Sequence, residues 1–357
     1  MSLEQQFDWQ NKIDIKSLEL GELEEHLAAM GQPKFRSKQI YSWLHEKRVD
    51  SFDQMSNLPV ALREQLEQRY YINRLSIIKK LVSKLDGTQK YLLQLKDNNC
   101  VEAVLMKYKY GNSICISTQV GCRMGCKFCA STLAGLVRSL DSSEMLDEIY
   151  TVTRDSGQRV SNVVLMGIGE PLDNYENVMR FLRILSSEQG YNLSLRHLSL
   201  STCGLVDRIY ELAQEKCGLT LSISLHAPND AIRSQTMPIN KRYPIDELLK
   251  ACRYYFQQTG RRISFEYALI EGVNDEISHA NELKGMAAHV NLIPVNPVKE
   301  RGFKRGSRQR IEAFQKALEA RGVNATVRRE LGADINAACG QLRREYDQQR
   351  AQGEEES

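Results

Sequence analysis

The sequence predicts an α/β protein, a parallel sheet or barrel of strand–helix units preceded by a small helical module. Three observations carry this. Beyond residue 97, short apolar runs alternate about six times with longer amphipathic ones. Up to about residue 70, apolar side chains recur at every third or fourth position, the helical period. Between these regions, shorter alternating runs are punctuated by Asp86-Gly87 and Asn98-Asn99, which predicts antiparallel strands.

In chain order, the helical module takes residues 1–75, with helices over 15–30, 36–47 and 59–69; Gly31 and Pro33 separate the first two. A β linker over 76–97 leads into the catalytic unit, 98–346, with the boundary near Asp97. There, strands are expected at 114–118, 162–166, 198–202, 219–225, 263–270, 290–293 and 325–328. Helices fall between them at 142–154, 175–187, 206–215, 245–258, 276–287 and 309–321. The polar stretch 347–357 is expected to be disordered. In such folds the reactive groups sit on loops after the C-terminal ends of strands.

No apolar run approaches the eighteen or so residues of a membrane span, and the first residues lack the basic-then-apolar order of a secretory signal. A cytoplasmic protein is expected. Nine cysteines, an odd and scattered set, fit metal ligation or redox chemistry better than a disulfide framework. The net charge of +3 says little about partners, but residues 299–310 (KERGFKRGSRQR) hold six basic residues against one acid. Such a run can neutralise nucleic-acid phosphates, or simply form a solvated surface.

The run from Gly121 to Cys129 is the most specific chemical signal. Cys122, Cys126 and Cys129 are separated by three and then two residues, and can converge on one soft metal centre. On a helix they would share a face, but Gly121 and Gly125 each oppose helix by ~0.8–1 kcal/mol relative to alanine. In an iron–sulfur cubane each iron normally takes one thiolate, so three cysteines leave one iron open to a small molecule. Zinc ligation and buried thiols are the alternatives. Zinc fingers usually show two spaced pairs of ligands, and the other cysteines here stand singly.

With Phe128 before the last thiol, C-x-x-x-C-x-x-C resembles the cluster motif of the radical S-adenosylmethionine (SAM) superfamily. Met166-Gly167-Ile168-Gly169-Glu170-Pro171 is similar to that superfamily's Gly-Gly-Glu-Pro-type segment. Ser199 to Thr202, Ser222 to Pro228, Met237 to Asn240, Asn291 to Pro297 and Asp334 to Leu342 resemble the RlmN/Cfr family of RNA adenosine methyltransferases, and the likeness covers nearly the whole chain. The resemblance implies a partial (β/α)6 TIM-like barrel with an N-terminal RNA-binding accessory domain, one [4Fe-4S] cluster on Cys122, Cys126 and Cys129, and two SAM molecules per turnover. Gly169, Glu170, Ser201, Ser224, Leu225, His226 and Asn296 would contact SAM. It further implies a monomer acting on 23S ribosomal RNA and transfer RNA, with a one-electron donor such as flavodoxin or ferredoxin and no membrane partner.

By the same resemblance, Cys339 matches the methyl-carrying cysteine, Cys115 the thiol that resolves it through a disulfide, and Glu102 the proton acceptor. Without it, Cys115 would read as a buried strand thiol, Cys339 as a helix-start thiol and Glu102 as an exposed strand carboxylate. The chemistry explains the pair. Adenine C2 lies between two ring nitrogens and is too electron-poor to attack a sulfonium methyl, whereas a thiolate can accept that methyl by displacement. Pro171 after Gly169-Glu170 looks like the C2-methylating branch, with the C8-methylating branch as the alternative. A zinc-stabilised RNA-binding protein without catalysis is the rival of a different class.

Overall fold

The computed structural model describes residues 11–285, 289–295, 301–337, 342–344, 346 and 348. In the N-terminal module, β1 (Ile13–Asp14) precedes α1 (Leu20–Ala29), α2 (Phe35–His45) and α3 (Val60–Arg69). Residues 15–19, expected as the first turn of helix, stay outside it: Asp14 caps a short 3-10 turn by accepting from the Lys16 amide. Helix α1 then starts at Glu19 through a reciprocal capping box with Glu22. β2 (Tyr70–Tyr71) pairs in parallel with β1 and closes the module.

β3 (Ser76–Val82), β4 (Gln89–Gln94) and β5 (Cys100–Tyr108) form the expected antiparallel set, and β5 turns back into β6 (Gly111–Cys115). The small β7 (Gln119–Gly121) and β8 (Leu136–Ser139) pair across the cysteine run. Six strand–helix steps follow from β6: α4 (Ser142–Ser156), β9 (Val160–Leu165), α5 (Tyr175–Ser186), β10 (Leu198–Thr202), α6 (Val206–Gln214), β11 (Thr220–Ser224), then α7 (Asp230–Thr236) with α8 (Ile245–Thr259), β12 (Ile263–Leu269), α9 (Ile277–Glu282), β13 (His289–Pro294), α10 (Arg308–Glu319) and β14 (Asn324–Val327). The seven strands β6 and β9 to β14 pair in parallel. β3 to β6 continue the same ten-stranded sheet, so hydrogen bonding runs unbroken across the boundary expected near Asp97. The tail 347–357 lies, Gln348 apart, outside the described residues.

The sheet has to curl. Laid flat, ten strands at ~4.8 Å spacing would hold β14 and β3 ~43 Å apart. Yet five residues beyond Val327, Gly332 donates its amide to Asp86 in the β3–β4 turn at 2.9 Å, and Asp334 accepts from the Ser83 hydroxyl at 2.6 Å and the Lys84 amide at 2.8 Å. Five residues reach at most ~17 Å. The chain after β14 therefore bridges the two ends of the sheet, which is what makes the barrel partial rather than flat.

The pleat sorts side chains by face. Val163, Leu165, Leu198, Leu200, Leu221, Ile223, Phe265, Tyr267, Val290 and Leu292 point outward into one hydrophobic core shared with the helices. Their alternates point inward, and most are polar: Ser199, Ser201, Ser222, Ser224, Ser264, Glu266, Asn291 and Thr326. A TIM barrel interior is usually filled by branched aliphatic residues. This one is lined to receive a polar ligand.

The same core extends into the module through Leu23, Leu27, Ile40, Leu44 and Leu66. A buried ion pair fixes the junction: Lys16 Nζ lies 2.5 Å from Asp147 Oδ1 on α4, both side chains fully buried, and Asp147 also accepts from the Leu75 amide at 2.6 Å. No described helix is long and apolar enough to cross a membrane. Removing one partner of such a pair strands a buried charge and typically costs ~3–5 kcal/mol. Asp147→Ala is expected to lose that much in chemical denaturation and to make the module the first site of proteolytic nicking.

Candidate active site

The cysteine run is held by its neighbours rather than by regular structure. Its neck is the β7–β8 pair, where the Cys122 amide donates to the Gly135 carbonyl at 2.8 Å. Gly121 sits there at φ +82°, and a Cβ on it would stand 2.0 Å from that carbonyl oxygen, so no side chain fits. Inside the loop, Thr132 Oγ1 is within 3.0 Å of the carbonyls of Cys126 and Cys129, and the Lys127 amide donates to Thr236 at 2.9 Å. Arg301 Nη2 donates to Thr132 Oγ1 at 3.0 Å.

The three thiols lie close enough to interact: Cys129 adds to the raised pKa of Cys122, and Cys129 and Cys122 add to that of Cys126. Burial first, with the Glu170 carboxylate, Cys129 and the Asp173 carboxylate adding, pushes Cys122 up to about 12, and burial raises Cys126 as well. Soft thiols that resist ionising alone are suited to a metal centre, which binds only the thiolate and supplies the missing positive charge. No three His, Cys, Asp or Glu side chains among the described residues converge on a single ion. A cluster with one thiolate per iron asks for a more open triangle than a mononuclear site does.

The Gly169–Glu170 loop after β9 is stitched to the strand leading into the cysteines. The Thr118 and Gln119 amides both donate to the Ile168 carbonyl, at 2.8 and 3.1 Å, and Gln119 Oε1 accepts from the Glu170 amide at 2.9 Å. Gly169, at φ +113°, lies so close that a Cβ would meet the Gln119 backbone nitrogen at 2.8 Å and the Thr118 hydroxyl at 2.8 Å. That hydroxyl is buried and makes no hydrogen bond among the described residues. Glu170 is 4% exposed, its carboxylate accepting from the Cys203 amide at 2.7 Å and the Leu172 amide at 3.1 Å. Burial holds its pKa above the usual carboxylate range against those donors.

Ser201 and Ser224 stand half-buried at the ends of β10 and β11 on the inner face. Ser224 is level with Glu266, Asn291 and Thr326 on the next three strands, and Asn291 donates to Glu266 at 2.8 Å. His226 is buried in the left-handed region, φ +55°, with Nδ1 accepting from the Ala268 amide at 2.9 Å. That bond puts the ring proton on Nε2. Burial, with Arg233 nearby, lowers its pKa to about 3, so the ring stays a neutral donor. Its ring meets Phe128 of the cysteine loop edge-on at 4.9 Å. Leu225 stands apart from this group: its side chain is fully buried in the outer core, its amide donates to Glu266 O and its carbonyl accepts from Arg233. Asn296 lies outside the described residues.

On the other side of the inner face, Glu102 on β5 is 2% exposed and accepts from the Arg343 amide at 2.7 Å. Cys115 on β6 forms a buried cluster with Val104 and Met106, on which Val164, Met166 and, from the closing segment, Leu331 and Ala337 pack. Cys339 lies outside the described residues, two positions beyond Ala337 and three before Leu342, which packs on Leu92 and Cys100. The basic run is partly neutralised: Arg305, Arg308 and Arg310 pair with Glu330, Glu312 and Asp275, while Lys299 and Glu300 lie outside the described residues.

Two residues with a hand in this geometry carry no motif. Arg233 is fully buried and donates to the carbonyls of Cys203, Leu225 and Ser224 and to Asn240 Oδ1, stapling the loops after β10 and β11. Lys90 is paired with Glu102 at 3.1 Å. A basic residue amid ordinary helix or strand residues gives no signal from one sequence.

A thiol ionising near 9 when unfolded and near 12 when folded stabilises the apo-protein fully below pH 9 and loses that contribution as pH rises toward 12. The apo-protein's urea midpoint is expected to fall above pH 9, and Cys122→Ser is expected to flatten that fall.

Comparison with known proteins agrees with this architecture. The Radical SAM superfamily profile matches residues 116–283, and the profile of the ribosomal RNA large subunit methyltransferase N-terminal domain matches 13–72. The chain is 58% identical over 339 residues to the probable dual-specificity RNA methyltransferase RlmN of Alkaliphilus oremlandii, covering 94% of this chain and 98% of that one. It is 54% identical to the protein of the same description from Lachnoclostridium phytofermentans, covering 94% and 95%. A radical SAM methyltransferase crystal structure from Sphaerobacter thermophilus superposes with a TM-score of 0.87 at 44% identity, over 92% of this chain and 98% of that one. A thiol triad on a glycine-necked loop, a polar barrel interior and full-length likeness converge: the chain belongs to the RlmN family of radical SAM RNA methyltransferases, enzymes that use SAM and an iron–sulfur cluster.

Proposed function

We propose that this enzyme methylates C2 of an adenosine in the peptidyl transferase centre of 23S ribosomal RNA and of the adenosine beside the tRNA anticodon, working in the cytoplasm as a monomer. The observation that carries the reading is the meeting of Cys115, Glu102 and the closing segment on one inner face. Ala337 packs on the buried cluster that holds Cys115 with Val104 and Met106, and the Arg343 amide binds Glu102, so chain positions on either side of Cys339 lie against both partners' strands.

Each residue then has one task. Cys339, as a thiolate, takes a methyl group by displacement and holds it as a thioether, which tethers the one-carbon unit where the base arrives. Glu102 accepts the proton leaving C2 once the ring is bonded to the carried carbon. The Cys115 thiolate attacks the Cys339 sulfur, forming the S–S bond as the bond from that sulfur to the carried carbon breaks; the electron pair goes to that carbon, which takes a proton, and the methylated base is freed. Gly169 lets the backbone close on the SAM methionyl group, and Glu170, Ser201, Ser224, His226 and Asn296 supply its polar contacts. The single [4Fe-4S] cluster held by Cys122, Cys126 and Cys129 supplies, when bound and reduced by a flavodoxin or ferredoxin, the electron for cleaving one SAM, a second SAM having supplied the methyl.

The RNA is held by shape and phosphates, with the target adenine flipped from its stack into the barrel. Just beyond α2, Lys47 Nζ lies 3.5 Å over the ring of Trp43, and at its start Arg36 covers the exposed Phe35, cationic–aromatic pairs suited to nucleic acid. Lys304 and the arginines of the basic run add charge, though paired arginines must exchange a carboxylate for a phosphate.

Cys115→Ala is expected to allow methylation of Cys339, visible by mass spectrometry, and addition to RNA, but not release. A covalent protein–RNA adduct accumulates on denaturing gels; normal turnover by this variant would remove Cys115 from the mechanism. Replacing Cys126 with alanine is expected to abolish the brown chromophore and methylation together. Mapping the modified base separates C2 from C8.

A further inference from the structure

Lys90 lies on β4 at the inner face of the sheet, 1% exposed. Its ammonium is 3.1 Å from Glu102 Oε2 and donates to the Asn336 carbonyl at 3.1 Å. The other oxygen of the same carboxylate, Oε1, accepts the Arg343 amide at 2.7 Å. Lys90 thus holds both the carboxylate and the stretch that precedes Cys339, while the carboxylate holds the stretch that follows it. A buried ion pair is weak evidence for stability, because apolar residues of similar volume often serve as well. What this pair fixes is direction: β4 and β5 are hydrogen-bonded neighbours, with Lys90 opposite Val104 and Leu92 opposite Glu102.

We propose that Lys90 is the positioning residue of the proton acceptor, setting the plane of the Glu102 carboxylate relative to the segment that carries Cys339. The proposal rests on the reading of Glu102 given above. In the step it serves, the proton on the ring carbon passes to a Glu102 oxygen and the electron pair of that C–H bond stays with the ring. Lys90 exchanges no proton and changes no oxidation state. Its ammonium supplies the countercharge to the waiting carboxylate and keeps the Asn336 carbonyl anchored while the base is tied to the carried carbon.

The test uses the full chain, loaded with iron and sulfide without oxygen, and a 23S ribosomal RNA fragment transcribed without modification. Lys90→Met is expected to lower kcat for release of methylated RNA ~10–100-fold, part of what proton transfer by a positioned side chain contributes. KM for RNA is expected to move less than ~2-fold, methyl-Cys339 to form as in the parent enzyme, and the protein–RNA adduct to accumulate. Lys90→Arg restores most of the rate. On a Glu102→Gln background, Lys90→Met is expected to add less than ~2-fold, since residues acting through one another are not additive. Parental kcat in Lys90→Met, a full independent loss on the Glu102→Gln background, or an arginine variant no better than methionine overturns the role. If Lys90→Met does not fold by circular dichroism, Lys90→Arg and the doubly neutral Lys90→Met/Glu102→Gln pair, compared with Glu102→Gln, decide it. Parental turnover in Glu102→Gln itself overturns the proton-acceptor reading instead, and this role with it.

Discussion

The pleat of one curled sheet is the constraint on which the chemistry depends. Because successive residues in a strand face opposite ways, a sequence such as Leu198-Ser199-Leu200-Ser201 packs a helix with one set of side chains and lines a cavity with the other. Leu221, Ile223 and Leu225 enter the outer core while Ser222, Ser224 and His226 turn inward. A slip of one residue would exchange the two sets. The outer core is what prevents that slip, and the polar interior inherits its precision from apolar packing on the opposite face.

Curvature is the second requirement, and it comes from chain connectivity. The stretch after β14 is too short to reach the β3–β4 turn unless the sheet bends. By docking there it also delivers the neighbours of Cys339 to the strand faces bearing Cys115 and Glu102. Closure of the fold and assembly of the candidate methyl-transfer centre are one event. The module at the other end of the chain is joined just as firmly: Lys16 reaches Asp147 on α4, the helix that begins directly after the β7–β8 neck.

Much of this was legible in the residues. The strands at 198–202 and 263–270 and the helices at 142–154 and 245–258 are recovered nearly to the residue, because apolar periodicity dominates wherever an element is covered on one side by a large core. The β7–β8 pair was not foreseen, since three or four residues flanking a metal-ligand loop have no room for a period. Helix α7 escaped for a similar reason: it is seven residues long, and its start is marked only by the Asn229 side chain accepting from the Ile232 amide. In the site, the cysteines and the Gly169–Glu170 turn announce themselves by spacing and residue type. Leu225 differs from the serines of its motif in that its side chain enters the outer core, which leaves only its backbone toward the cavity side. Lys90 and Arg233 could not be found, because burial of a cation is a property of the folded neighbourhood and leaves no pattern in the chain.

The contact between Gly121 and Gly135 closes residues 121–135 into a compact Ω-type loop, with no room for a methyl group at Gly121 and a left-handed backbone that favours glycine at Gly135. A side chain within the loop that faces outward, such as that of the exposed Lys127, is thereby open to change. The clasp itself tolerates neither substitution nor lengthening. Diversity among relatives should therefore vanish at the throat and collect at outward positions such as Lys127.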